Sequence, residues 1–123
     1  MKSQVKLENT QAQMRKGILE MCVLSIIAAG EVYPSDIIEE LEGHQLIVKQ
    51  GTLYPLLSRL KNAGLLAYTW KEVEGKGPPR KYYTLTEEGR AFLNGLLETW
   101  EALMLAVYKT TKTIHTHEQD SQH

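Results

Sequence analysis

The central part of the chain combines a strongly amphipathic helix with two short strands. Four leucines recur at the i, i+3, i+4, i+7 spacing of one helical face, which predicts a helix over 49–62 that needs a core to bury it. They are Leu53, Leu56, Leu57 and Leu60. Gly64 can adopt the left-handed conformation that ends helices. Alternating aromatic residues then predict strands over 65–73 and 80–85, which a Gly/Pro turn joins.

Basic residues are concentrated in the same part of the chain. Between residues 49 and 81 there are seven basic and two acidic residues, although the formal net charge of the whole chain is −1. An acidic cluster over 36–42 precedes them. A helix followed by a basic two-stranded ribbon is the layout of a winged helix-turn-helix. In such a fold the helix enters the major groove and the ribbon meets flanking phosphates.

Two further helices are predicted before this block. Apolar periodicity indicates a first helix over 9–29 and a second over 33–41. The connector after them can hold a short extended piece over 46–48. In the third helix, Pro55 is tolerated if the helix is capped near Thr52, because the proline then lies in the first turn. The expected N-caps of the first two helices are Asn9 or Thr10, and Ser35.

The last element is predicted to be a long helix that self-associates. Thr86 is a suitable N-cap, and the two glutamates after it complement the helix dipole. Apolar residues fall seven apart from Leu93 to Ile114, which is a heptad-like seam. About 27 residues at 1.5 Å each extend about 40 Å, more than the small domain can cover. The surplus stripe predicts a homodimer, and the alternative is a helix folded back on its own core.

These elements define the fold class and the domain organisation. The predicted fold is mainly α (α+β), a winged helix-turn-helix with a long C-terminal dimerisation helix. The DNA-binding domain is expected over 9–86 and the dimerisation helix over 87–114. Residues 1–8 and 115–123 are polar and are expected to be flexible ends.

Composition and motif content limit the other functions. The chain has 123 residues, no apparent signal peptide, and no apolar run long enough to cross a bilayer, so we expect a cytoplasmic protein without a membrane partner. The single Cys22 is expected to be a small core residue, with an intermolecular disulfide or a redox role as alternatives. His115 and His117 are interpreted as solvated tail residues. No catalytic motif, metal site or cofactor is predicted, and the chain is not expected to be an enzyme.

Two motifs resemble the PadR family of bacterial transcriptional regulators, specifically its short subfamily with a single C-terminal helix. They are Gly51-Thr52-Leu53-Tyr54-Pro55-Leu56-Leu57-Ser58-Arg59-Leu60 and Arg80-Lys81-Tyr82-Tyr83-Thr84-Leu85-Thr86-Glu87-Glu88-Gly89. The resemblance implies a homodimeric winged-helix repressor, held together through the C-terminal helix with help from the N-terminal one. The family often has Ser-Pro where this chain has Lys49-Gln50, and frequently Gly-Arg-Pro where it has Pro78-Pro79. One arginine fewer suggests weaker or differently placed ribbon contacts.

The residues expected to contact DNA lie on the third helix and on the ribbon. Tyrosine, serine, glutamine and threonine can donate to phosphates or base edges, and the basic residues can pair with phosphates. Alternatives are that Tyr54 packs on a neighbouring helix, that Ser58 is solvated, and that the ribbon bases form a solvated turn. Tyr82 and Tyr83 point to opposite faces of a strand, so at most one is expected in the core. The candidate DNA-binding residues are Lys49, Gln50, Thr52, Tyr54, Ser58, Arg59, Lys76, Arg80 and Lys81.

The resemblance also implies a site for an effector. In multidrug-binding members of the family a tryptophan of the C-terminal helix stacks on the ligand at the dimer centre, and Trp100 falls at the similar place. The alternative is that Trp100 belongs to the apolar core of the interface. The other candidate wall residues are Leu97, Leu96, Leu93 and Met104, with Met14 or Ile18.

The predicted function is that of a DNA-binding transcriptional regulator. In this interpretation a homodimeric repressor binds a double-stranded DNA operator, and a small hydrophobic or aromatic compound at the dimer interface modulates that binding. The alternative is a winged-helix module that binds another protein and not DNA.

Overall fold

The computed structural model describes residues 6–72 and 77–112. It has the predicted mainly helical architecture with one small antiparallel sheet, in the order expected for a winged helix. The chain forms two compact units, the first ending at Leu93 and the second starting at Asn94. The elements are α1 (Leu7–Ala28), α2 (Pro34–Gly43), α3 (Gln50–Asn62), β1 (Leu66–Lys71), β2 (Arg80–Leu85) and α4 (Glu87–Thr110).

The core of the first unit is built around the leucine stripe of α3. All four stripe leucines are buried, as the spacing predicted. They are joined there by apolar side chains of α1, α2 and β1, which are also buried. The principal partners are Val23, Leu24, Ile27, Ile37, Leu41 and Leu66. Since the stripe faces this core, the opposite face of α3 is turned to solvent.

The predicted N-caps of the first two helices are wrong, although α2 starts within one residue of its predicted bound. Helix α1 begins at Leu7 with Lys6 as its N-cap and without a side-chain cap, so the predicted caps Asn9 and Thr10 are wrong. The backbone N–H groups of these two residues instead donate to the Lys6 carbonyl.

Helix α2 begins at a proline, which makes the predicted cap Ser35 wrong. Pro34 is the first helical residue, where its fixed φ suits the helix and its missing N–H costs nothing. Tyr33 is therefore the N-cap. Its backbone N–H donates to the Asp36 carboxylate at 3.0 Å, and an acid in the first turn also complements the helix dipole.

Helix α3 has almost the predicted bounds, 50–62 against 49–62. Lys49 is its N-cap, and its carbonyl accepts from the N–H groups of Thr52 and Leu53 at 2.9 and 3.0 Å. Pro55 consequently lies in the second turn, and the expected cap near Thr52 is wrong. The residue at position 51 is an exposed glycine, so water can reach the carbonyl that the proline leaves without a helical donor.

The ribbon is paired along its whole described length. Strand β2 has the predicted bounds, whereas β1 covers 66–71 of the predicted 65–73, and residue 73 lies outside the described residues. No strand forms over 46–48. Strand β2 has a further backbone pairing, with Val32. The Val32 N–H donates to the Tyr83 carbonyl at 3.2 Å, and the Tyr83 N–H donates to the Val32 carbonyl at 2.9 Å. This bridge ties the ribbon to the segment before α2.

The two adjacent tyrosines of β2 point to opposite faces, as predicted. Tyr83 is buried. Tyr82 lies on the other face, where its ring centroid is 3.8 Å from that of Tyr33. A side-chain hydrogen bond with Tyr33 is the largest cause that raises the pKa of Tyr82 to about 12, and burial adds to it. The start of α2 and the ribbon therefore meet through an aromatic pair.

The start of α4 lies directly against the end of α3. Thr86 is the predicted N-cap, and its Oγ1 accepts from the Gly89 N–H at 2.9 Å and donates to the Gly64 carbonyl at 2.7 Å. The Thr86 N–H donates to the Leu65 carbonyl at 3.1 Å. A Cβ atom at position 89 would lie only 2.0 Å from that carbonyl oxygen. A glycine is therefore required in the first turn of α4.

In the second unit, α4 exposes most of its apolar residues. The helix continues to Thr110, and the predicted end at Ile114 lies outside the described residues. The exposed side chains follow the predicted seam but are not limited to it. They are Leu97, Trp100, Leu103, Met104, Leu105, Val107 and Tyr108.

Cys22 is half-buried in α1, and burial raises the pKa of its thiol, which disfavours the reactive thiolate. Within residues 6–72 and 77–112, no helix has the length and apolar character needed to cross a membrane.

We expect Gly89→Ala to destabilise the protein by roughly 2 kcal/mol or more, because the added methyl group overlaps a backbone carbonyl that cannot move freely. Gly95→Ala is the matched control in the same helix, since nothing lies within 4 Å of a Cβ there. It should stabilise the protein by about 0.5–1 kcal/mol through helix propensity. Urea unfolding followed by circular dichroism measures both. Equal effects of the two substitutions would contradict the close approach at Gly89.

We expect Tyr33→Phe to lower the pKa of Tyr82 from about 12 toward the ordinary tyrosine value of about 10, because the hydrogen bond is lost. Carbon-13 NMR titration of the tyrosine ζ carbons measures this, and Tyr82→Phe identifies the signal. Because the folded-state pKa is raised, the associated stability is complete below about pH 10 and is lost as the pH rises toward about 12. An unchanged pKa would assign the shift to burial and to the carboxylates of Glu31 and Asp36 instead.

Candidate nucleic-acid interface

A depression of about 430 Å³ lies between the exposed face of α3 and the ribbon, and we call it the wing–helix depression. It brings together five of the predicted DNA-binding residues. Three come from α3 and two from β2, and the N-terminal end of α2 closes one side. The five residues are Gln50, Tyr54, Ser58, Arg80 and Lys81.

The α3 residues of the depression follow from the helical period. Gln50, Tyr54 and Ser58 are four residues apart, so they line one exposed strip of the helix beside the buried leucines. Tyr54 keeps 45% of its surface exposed, and Gln50 and Ser58 are also exposed. This face presents a hydroxyl, a phenol and an amide to solvent, all of which can donate to phosphates or bases.

Aromatic rings hold the two ribbon cations in place. The Lys81 ammonium lies 4.4 Å from the ring centre of Tyr68 and 5.3 Å from that of Trp70. The Arg80 guanidinium carbon lies 4.7 Å from the ring centre of Tyr33. Among the residues that the structure describes, neither cation forms an ion pair with a carboxylate. Their charges can therefore act on an anion outside the chain.

The remaining predicted DNA-binding residues lie elsewhere. Arg59 Nη1 bonds Glu20 Oε1 of α1 at 3.0 Å, an ion pair that links the two helices. Lys49 and Thr52 line a second depression of about 420 Å³ between α1 and the segment before α3. Lys76 lies outside the described residues.

The predicted effector-site residues are divided between the two units. In the first unit Leu93 is buried with 5% of its surface exposed, Ile18 is half-buried, and Met14 is 70% exposed. In the second unit Leu96 is half-buried, and the other three are exposed, with Trp100 at 37%. Those three are Leu97, Trp100 and Met104.

Over 6–72 and 77–112 there is no group of three or more His, Cys, Asp or Glu side chains that could hold a metal ion. His115 and His117 lie outside these ranges.

Sequence reasoning missed two aromatic residues of the wing–helix depression. Trp70 and Tyr33 both line it. Trp70 was recognised only as a strand residue, although the ribbon register pairs it with Lys81. Counting back from the predicted turn would have paired Trp70 with Tyr83 and so placed it on the same face as Lys81, because side chains alternate along a strand. Tyr33 gave no comparable signal, since its contact with the ribbon is non-local.

Comparisons with known proteins agree with this geometry. The sequence profile of the transcriptional regulator PadR-like family matches residues 23–95, which include the whole wing–helix depression. A transcriptional regulator of Mycobacterium tuberculosis is 35% identical over 81 residues, covering 66% of this chain and 74% of the relative.

Solved structures give the same result. A PadR-like transcription factor from Bacteroides fragilis is 50% identical, with a TM-score of 0.69 over 82% of this chain and 97% of that chain. Bacillus subtilis PadR, solved in complex with operator DNA, is 26% identical, with a TM-score of 0.59 over 65% of this chain and 47% of that chain. The resemblance of the two motifs to the PadR family is thus confirmed at the level of the family, and the chain belongs to the PadR-like family of transcriptional regulators.

Proposed function

We propose that this protein is a homodimeric repressor that binds a double-stranded DNA operator through the wing–helix depression. The observation that carries the proposal is the combination, in one concave surface, of a polar helix face with two cations that lack carboxylate partners among the described residues. The solved complex of Bacillus subtilis PadR with operator DNA supports the choice of partner.

The side chains of the depression divide by chemistry. Arg80 and Lys81 neutralise phosphates beside the major groove, and Lys76 extends this contact. Gln50 can bond both N6 and N7 of an adenine, while Tyr54 and Ser58 donate to phosphates or base edges. Lys49 and Thr52, near the start of α3, contact the sugar-phosphate backbone of the DNA.

Arg59 has a different role in this proposal. Its guanidinium bonds Glu20 of α1 and so helps to orient α3, while the exposed side chain stays a candidate for a phosphate contact. Such a link is useful in a DNA reader because base contacts require the helix to enter the groove at a defined angle.

The exposed stripe of α4 is the proposed dimer interface. A contiguous apolar surface of this kind is costly in a monomer and is typical of an interaction site. A two-fold dimer would present two α3 helices to half-sites about one helical turn apart, roughly 34–36 Å.

Trp100 is proposed to stack on a small hydrophobic or aromatic effector between the two α4 helices. Leu96, Leu97 and Met104 would contact the same compound, and Met14, Ile18 and Leu93 complete the candidate set. Such a ligand changes operator binding only through its different affinity for two arrangements of the dimer.

The experiment that tests the DNA proposal is fluorescence anisotropy with the protein's own upstream DNA and a scrambled duplex at several salt concentrations. Specific binding with a steep salt dependence is expected. A protein that makes 6–10 phosphate contacts loses a factor of about 10³–10⁵ in affinity when the salt concentration rises from 50 to 200 mM. Binding with neither sequence preference nor salt dependence would instead favour the protein-interaction module.

Charge reversal in the ribbon should weaken DNA binding more than charge reversal elsewhere. We expect Arg80→Glu and Lys81→Glu each to reduce the slope of log K against log salt by about one and to weaken binding to all duplexes. Arg90→Glu is the matched control, because it makes the same change of charge on the exposed start of α4. If all three variants lose affinity equally, the effect is one of net charge and the ribbon has no special role.

Trp100→Ala should weaken effector binding more than operator binding. The probe is a planar cationic aromatic dye, titrated by fluorescence without DNA, and the loss expected for a removed stacking contact is about tenfold. Sedimentation velocity reports the oligomeric state of the same variant. Equal loss of dye binding, operator binding and dimer would mark Trp100 as interface core and not as a ligand platform.

A further inference from the structure

Trp70 is a large aromatic residue that lies outside the hydrophobic core. It lies in β1, and 61% of its surface is exposed. We infer that Trp70 is a DNA-contacting residue that packs its indole against the sugar-phosphate backbone, independently of base sequence. This inference rests on the proposed function and deepens it, because it adds a non-ionic contact to an interface otherwise described by charge and hydrogen bonds.

The indole of Trp70 is held in a defined position despite its exposure. Its ring meets that of Tyr68 edge-on, with centroids 6.1 Å apart and an interplanar angle of 88°. Lys81 is its partner in the ribbon register, and the ammonium of that lysine lies 5.3 Å from the indole centre. The ring and the cation therefore form one unit, which limits the entropy that either side chain loses on binding.

The position of Trp70 connects it to the proposed interface. The indole lines the wing–helix depression together with Gln50, Tyr54 and Ser58 of α3. A duplex that contacts this face of α3 and the ribbon cations also meets the indole. Trp70 is thus exposed in the surface that is proposed to bind DNA.

The chemistry of the indole selects the sugar-phosphate backbone. It has one N–H donor, no acceptor and a wide apolar face, so it cannot read the donor and acceptor pattern of a base pair. Deoxyribose offers apolar C–H surface, and the adjacent phosphate offers an acceptor and a negative charge. The indole and the Lys81 ammonium match these two features side by side.

Fluorine NMR tests this contact directly. Protein in which both tryptophans are replaced by fluorotryptophan gives two signals, and Trp70→Phe identifies that of Trp70. On saturation with the upstream duplex, the Trp70 signal should shift and lose most of its sensitivity to exchange of H2O for D2O. An unchanged signal in a complex that anisotropy proves to be saturated would overturn the contact but leave the proposed function intact.

Two other outcomes of the same experiment are decisive. If anisotropy detects no binding to any duplex, the proposed function and the contact both fail. If the Trp70 signal changes with protein concentration in the absence of DNA, the indole belongs to a contact between copies of this chain, and the inference is overturned.

Affinity measurements provide the second test. Removing about 50 Å² of apolar contact should weaken binding roughly eightfold. We therefore expect Trp70→Ala to weaken binding to the upstream and scrambled duplexes by a similar factor, with an unchanged salt slope because no charge is lost. Thr69→Ala is the control, since Thr69 is exposed on the opposite face of the same strand. Unchanged affinity of Trp70→Ala, or a loss equal to that of Thr69→Ala, would contradict the contact.

Discussion

The burial of the α3 leucine stripe is the interaction on which the rest of the structure depends. Each fully buried leucine contributes about 1.5–3 kcal/mol, so four of them approach the entire net stability of a small domain. A rotation of α3 by one residue, about 100°, would expose part of the stripe and turn Ser58 or Arg59 toward the core. The hydrophobic effect therefore fixes which side chains of α3 face outward. The polar face of Gln50, Tyr54 and Ser58 is a consequence of that packing.

The ribbon is positioned by a second, mainly polar set of constraints. At its base, Thr86 caps α4 while bonding the Gly64 carbonyl, and Gly89 allows the helix to lie against Leu65. At its side, the Val32–Tyr83 bridge attaches it to the start of α2. Cation–π contacts then order the basic side chains, each contributing about 0.5–2 kcal/mol. These bonds explain how a two-stranded ribbon, marginal alone, can keep cations at a fixed place beside α3.

Sequence predicted those features that local periodicity and capping chemistry determine. The leucine stripe, the bounds of β2, the divergence of Tyr82 from Tyr83 and the Thr86 cap are all confirmed. The predicted N-caps of α1 and α2 were wrong because Lys6 and Tyr33 take those positions, without the expected side chains of Asn9, Thr10 or Ser35. The partners of Arg59 and Tyr83 were missed because they are distant in sequence, and no periodic pattern encodes such pairs. Five of the nine candidate DNA-binding residues lie together in the wing–helix depression, but the sequence did not indicate that Lys49 and Thr52 line a second depression.

The same non-local pairs change how the charge of this region should be interpreted. The sequence places seven basic residues between 49 and 81, yet the Arg59 and Lys71 charges are already balanced by Glu20 and Glu31. A carboxylate at hydrogen-bond distance cancels most of the field that such a cation exerts on a phosphate. Each phosphate neutralised contributes about 0.9 to the salt slope, so a count of basic residues along the chain overstates the slope expected for one chain. Charge in the wing–helix depression, and not net charge, is therefore the quantity that governs how strongly a protein at −1 overall can bind a polyanion.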